Sequence, residues 1–124
     1  MLRLCSIAWR LMATTALVTA CGGGSGTGEP VKVAAELKSL SCDPGSGIRV
    51  SSLRQVLESN KISVESVSCG AYSVGRPAVC GVPDDALAFF VINEADLMRA
   101  KDLGFFDSAT TLLAIDYGQC PSGR

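Results

Sequence analysis

Asp84 and Asp85, adjacent in the run PDD, are the residues of this sequence most able to do chemistry. Paired carboxylates can split acid and base roles or hold calcium, but next to Pro83 they read first as turn formers. Other acids are dispersed. Glu94 and Asp96 fall in the first turn of a predicted helix, where the dipole favours negative charge. Asp102, Asp107 and Asp116 form no visible constellation. Arg76 in GRP could meet an anion, yet reads as a solvated loop charge; Tyr72 and Tyr117 read as half-buried packing residues. The chain has no histidine, which removes the usual base of a serine or cysteine nucleophile. It also lacks a Gly-x-Ser-x-Gly elbow, a P-loop, and a Gly-x-Gly-x-x-Gly between strand and helix. These residues predict a non-enzymatic protein, with a carboxylate-dependent hydrolase built on Asp84 and Asp85 as a distant alternative.

The amino terminus predicts where the chain works. MLRLCSIAWR carries Arg3 and Arg10 and no acid, and LMATTALVTA adds a short apolar run. Crossing a bilayer takes ~20 apolar residues, so this segment is too short to span and reads as a secretory signal over residues 1–20. Val18, Thr19, Ala20 and Cys21 resemble the lipobox of bacterial lipoprotein precursors. That resemblance implies a lipid on the Cys21 sulfur, cleavage just before it by signal peptidase II, and an acylated (palmitate-type) amino terminus anchoring the mature chain to a membrane. More than one acyl chain is needed for stable anchoring, because each buried CH2 contributes only ~0.8 kcal/mol. Gly22 follows Cys21 where an aspartate would favour inner-membrane retention, so the expected location is the cell envelope, on the outer rather than the inner membrane. GGGSGTGE has almost no side chain to bury and predicts a flexible tether over residues 21–30.

Without Arg3 and Arg10, nine basic side chains face twelve acidic ones, a net charge of −3 on the mature chain. With no basic stripe, nucleic acid is a poor candidate partner and none is expected. Cys42, Cys69, Cys80 and Cys120 then remain in residues 31–124. Export makes disulfides their expected state. Neither a Cys-x-x-Cys pair nor a histidine is present for zinc or redox work, so no metal or cofactor is expected. Three pairings are open. The favoured one is Cys69–Cys80, tying a local hairpin, with Cys42–Cys120 joining the ends of the domain.

The elements that must position these residues follow from periodicity. Val33, Leu37 and Leu40 sit a turn apart in VKVAAELKSLS and predict a helix over 31–40. CDPGSG reads as a turn and residues 48–50 as a short strand. SSLRQVLESN predicts a helix opened by a Ser52–Gln55 capping box and stopped at Asn60. ISVESVSC predicts a strand with a bulge, and ALAFFVI the strongest strand of the chain. Asn93 caps a helix that Gly104 ends, and TTLLAI closes the domain as a strand. The fold class is therefore α+β: a small antiparallel sheet with helices on one face, in ferredoxin-like β-α-β-β-α-β order, stapled by two disulfides. From Val79 onward, VCG, PDD, FFVI and DLMRAKDLGF are similar to small uncharacterised proteobacterial lipoproteins, which implies no particular activity.

One feature hints at function. In ALAFFVI, Leu87, Phe89 and Val91 alternate with Ala88, Phe90 and Ile92; in TTLLAI, Leu112 and Ala114 alternate with Leu113 and Ile115. Both sides are apolar, as in a strand buried on two faces. Two helices cover one face, so the N-terminal helix over 31–40 is expected on the other. If it does not cover that face, Phe90, Ile92, Leu113 and Ile115 form a surface for a protein partner or a second copy, or one wall of an apolar-ligand site. The sequence thus predicts an envelope lipoprotein that binds or serves as an accessory structural part. Its alternative is an inhibitor or immunity-type module acting on an envelope or foreign hydrolase.

Overall fold

The computed structural model describes residues 28–121 except 44, 78 and 112. The signal segment, Cys21 and most of the tether lie outside the described residues. Among the described residues five strands and two α-helices follow in order: β1 (Pro30–Glu36), α1 (Val50–Ser59), β2 (Ser66–Tyr72), β3 (Ala86–Asn93), α2 (Leu97–Asp102), β4 (Phe106–Asp107) and β5 (Ala114–Asp116). They make an α+β fold on one sheet of order β4-β1-β3-β2-β5, antiparallel at every pairing.

The main departure from expectation is the segment 31–40, which is no helix. Residues 30–36 form β1, paired along its whole length with β3: Val33 faces Phe90, Ala35 faces Ala88 and Val31 faces Ile92. Two patterns competed in VKVAAEL. The four-residue spacing of Val33 and Leu37 suggested a helix, but Val31, Val33, Ala35 and Leu37 also alternate with period two. Pairing with the most apolar strand of the chain decides between them, because it buries Val33, Ala35 and Leu37. The strand expected at 48–50 is absent. The Ile48 amide instead donates to the Leu37 carbonyl at 2.7 Å, and Val50 opens α1.

Helix α1 begins one turn earlier than the capping box suggested. Arg49 is its N-cap and provides no side-chain bond, while Ser52 already lies inside the helix. At its other end the left-handed residue is Lys61, at φ 63°, not Asn60, whose side-chain amide donates to the Val56 carbonyl. Residues 62–65, expected as the start of the strand, lie outside it, and ladder pairing of β2 starts only at Ser66. Strand β3 matches its expectation. So does the Asn93 cap, whose side-chain oxygen accepts from the Ala95 amide at 2.9 Å. The following helix is split into a 3-10 turn (Glu94–Asp96) and α2, and Gly104 at φ 98° closes it. The closing strand is shorter than TTLLAI and holds only Ala114–Asp116.

Alternation along β3 sorts the core into two layers, as its sequence suggested. Ala88, Phe90 and Ile92 join Val33, Ala35 and Cys69 beneath Val50 and Leu57 of α1, Ala100 of α2, and Phe105. Phe90 meets Phe105 edge to face, 5.7 Å between ring centres. Leu87, Phe89 and Ala34 form a smaller second cluster on the other side, packed by Tyr72, Phe106 and Ala114. No helix is needed there because the sheet curls. Three strand intervals of about 4.8 Å would put β1 and β5 about 14 Å apart in a flat sheet. Lys32 of β1 nevertheless reaches Asp116 of β5 at 2.6 Å. Three intervals likewise separate β2 from β4, yet the rings of Tyr72 and Phe106 stack at 6.4 Å.

The disulfides are Cys42–Cys80 and Cys69–Cys120, with Cα–Cα distances of 5.1 and 4.7 Å, which corrects the pairing expected from chain proximity. Sheet adjacency decides it. The chain leaving β1 and the chain entering β3 run side by side, since Leu40 bridges Pro83, and this brings Cys42 to Cys80. Strand β5 lies beside β2, so the segment after it returns over Cys69 with Cys120.

Candidate functional site

The expected surface divides. Phe90 and Ile92 are 0 % exposed beneath the helices and belong to no surface. They take the sheltered face because β1 supplies Val33 and Val31 beside them. Leu113 and Ile115 are 49 % and 45 % exposed, and Tyr117, which sequence reasoning assigned to packing, is 66 % exposed. These three lie along the outermost strand of the sheet. Pairing with β2 extends past both ends of β5: the Ser73 amide donates to the Leu113 carbonyl, and the Tyr117 amide to the Cys69 carbonyl at 2.9 Å. In such an extended run residues 113, 115 and 117 project to one side. The result is a row of three large apolar side chains along β5, whose second edge has no strand beside it among the described residues.

Strand β5 is held firmly despite its three residues. On its inner side Asp116 accepts from Lys32 at 2.6 Å, from Ser68 Oγ at 2.8 Å and from the Gly118 amide at 2.8 Å. Burial alone would raise the Asp116 carboxyl; those hydrogen bonds and the lysine charge outweigh it and hold the group below its usual range. Gly70 lets the strands approach. A Cβ there would run into the Ile115 carbonyl oxygen and lie 2.7 Å from Phe89 Cε2. The Cys69–Cys120 bond then ties the chain beyond β5 to β2.

At the other end of the β2–β5 pairing, Tyr72, which faces Ala114 of β5, donates to Glu36 Oε1 at 3.0 Å, and Arg76 donates to the same oxygen at 3.3 Å while sitting over the Tyr72 ring. Burial raises the Tyr72 phenol above its ordinary value; the bond to Glu36 and the Glu36 charge add to this, and Arg76 opposes it. Arg76 is thus engaged within the fold rather than a free loop charge. Neither polar group was legible in the sequence, because its members are separated by up to 84 positions.

Asp84 and Asp85 line an open cleft of ≈ 440 Å³ together with Tyr117 and Gln119. Asp84 is committed to the fold: one oxygen accepts from Ser39 Oγ at 2.7 Å, the other from the Ala86 amide at 3.0 Å. Asp85 supplies its backbone carbonyl to the Tyr72 amide. Among the described residues no group of three or more His, Cys, Asp or Glu side chains could hold a metal ion. Among them, too, no helix is long and apolar enough to cross a membrane. Cys21, the residue expected to carry lipid, lies outside the described residues. Comparison of the chain with protein-family profiles, characterised proteins and solved structures finds no match.

Proposed function

We propose that this chain is a lipid-anchored protein of the bacterial cell envelope whose α+β domain works by binding another protein, not by catalysis. The observation that carries the binding reading is the exposed row Leu113, Ile115 and Tyr117 on edge strand β5. An edge strand offers unpaired backbone groups to an incoming strand, and apolar side chains beside it add buried area to the contact. Two formed disulfides fit an oxidising compartment, and the lipobox-like Val18-Thr19-Ala20-Cys21 supports acylation at Cys21. The commitment of both Asp84 oxygens argues against the hydrolase alternative. We further read the β4-β1-β3-β2 part of the sheet as a ferredoxin-like core to which β5 has been added, and that addition creates the binding edge.

The two halves of this reading are tested separately. Metabolic labelling with a palmitate analogue should mark the wild-type chain and leave a Cys21→Ala chain unmarked and released from membranes. An unlabelled wild-type chain overturns the anchor. Ile115→Asp should abolish recovery of a partner from solubilised envelopes while leaving thermal unfolding nearly unchanged. Equal recovery with the variant overturns the binding edge.

A further inference from the structure

The two disulfides occupy opposite environments. Cys69 is 5 % exposed and packs in the main core, with half-buried Cys120 against that core. Cys42 and Cys80 are both exposed, in the two segments that extend the β1–β3 pair beyond the sheet. Cys42 also sits at φ 71°, a left-handed conformation that residues with a Cβ seldom adopt.

Hydrogen bonds as well as the disulfide join these segments. The Ser41 amide donates to the Val82 carbonyl at 2.9 Å, the Gly81 amide to the Ser41 carbonyl at 3.2 Å, and the Asp84 amide to the Ser39 carbonyl at 2.8 Å. Ser39 Oγ adds its bond to Asp84, with Ser39 itself buried. A disulfide that is reachable, and whose opening leaves a bonded frame behind, can be exchanged without unfolding the domain.

We propose that Cys42–Cys80 is a thiol–disulfide exchange site for a dithiol reductant, and that Cys69–Cys120 is a closed staple. A thiolate of the dithiol attacks the sulfur of one cysteine, forming a mixed disulfide and expelling the other cysteine as a thiolate that takes up a proton. The second thiol of the reductant then attacks the mixed disulfide and releases the first cysteine. The dithiol loses two electrons and becomes a disulfide; the protein gains two electrons and two protons as thiols at Cys42 and Cys80. Exchange requires access to a sulfur, and access separates the two bonds.

The test uses the full mature chain, folded, with dithiothreitol as the dithiol. Samples are quenched with iodoacetamide over time and the labelled cysteines mapped by mass spectrometry, with circular dichroism followed in parallel. Cys42 and Cys80 should label at least about tenfold faster than Cys69 and Cys120, with the dichroism unchanged once the first pair is open. Labelling of all four together, labelling of Cys69 and Cys120 first, or loss of dichroism with the first label overturns the proposal. A Cys42→Ser/Cys80→Ser chain should fold and lack the fast phase. Its failure to fold would equally overturn the proposal, since the bonded frame would then not stand alone.

Discussion

Lys32 Nζ and Asp116 Oδ2 meet at 2.6 Å across the concave side of the sheet, with the lysine 5.9 Å from the centre of the Phe89 ring. This contact joins β1 to β5 over the smaller core cluster, and it lets a domain with two helices bury both faces of β3. The same contact holds β5 in the position from which it presents Leu113, Ile115 and Tyr117.

Asp116 has a lowered folded-state pKa, so its contribution to stability is present above the usual carboxylate value near 3.9 and is lost as pH falls through the lower folded value. Asp116→Asn should cost about 1 kcal/mol at neutral pH, the exposure of the lysine discounting a charge-assisted bond for solvent screening. The acid limb of a stability-against-pH curve should be shallower for the variant. Curves that run parallel down to the acid transition would show that Asp116 carries no such linkage.

Gly70→Ala should destabilise the domain by about 2–3 kcal/mol, because backbone and a buried ring stand where the methyl group would go. Hydrogen exchange should locate the damage at β5. A variant as stable as the parent, with β5 amides still protected, would mean that β5 does not pack as closely as described.

Asp84→Ala should lower stability by about 1–3 kcal/mol through loss of its bonds to Ser39 Oγ and the Ala86 amide, leaving the buried Ser39 hydroxyl without its acceptor. Asp85→Ala, made alone, should change stability by less than about 0.5 kcal/mol. Chemical denaturation of the two variants distinguishes them, and the reverse ranking would contradict the structural role given to Asp84.

The disulfides close loops of 38 and 51 residues, for which chain entropy gives nearly equal stabilisation, about 4 kcal/mol each as an upper figure. Burial separates what chain entropy does not. Paired Cys→Ala replacement at positions 69 and 120 should lower the unfolding midpoint more than at 42 and 80, because it also leaves a void in the main core. Equal losses would indicate that only loop closure matters.

How far the sequence reveals this fold depends on whether local pattern and pairing partner agree. They agree in ALAFFVI, whose two-sided alternation predicted both core layers, and at Asn93 and Gly104, whose chemistry marks a helix's ends wherever it packs. They disagree in VKVAAEL, where two periods coexist and only the presence of β3 beside it selects the strand. The disulfide pairing failed for the same reason: Cys69 and Cys80 are close in the chain, but sheet adjacency puts Cys120 nearer to Cys69. The same alternation grouped Leu113 and Ile115 with Phe90 and Ile92 as one face, but the first two are half exposed and the last two fully buried, because β1 and the helices cover the middle of the sheet and not its β5 end. Tyr117 was not, since nothing local distinguishes a half-buried tyrosine from an exposed one. Lys32 and Asp116 carry no local sign of each other at all.

The binding role proposed for β5 is tested most directly by placing a photo-activatable cross-linking side chain at Ile115, and at Val56 on the exposed side of α1, in intact cells. The account predicts a discrete adduct with another protein from position 115 and none from position 56. No adduct from 115, or adducts of equal yield from both positions, would contradict it.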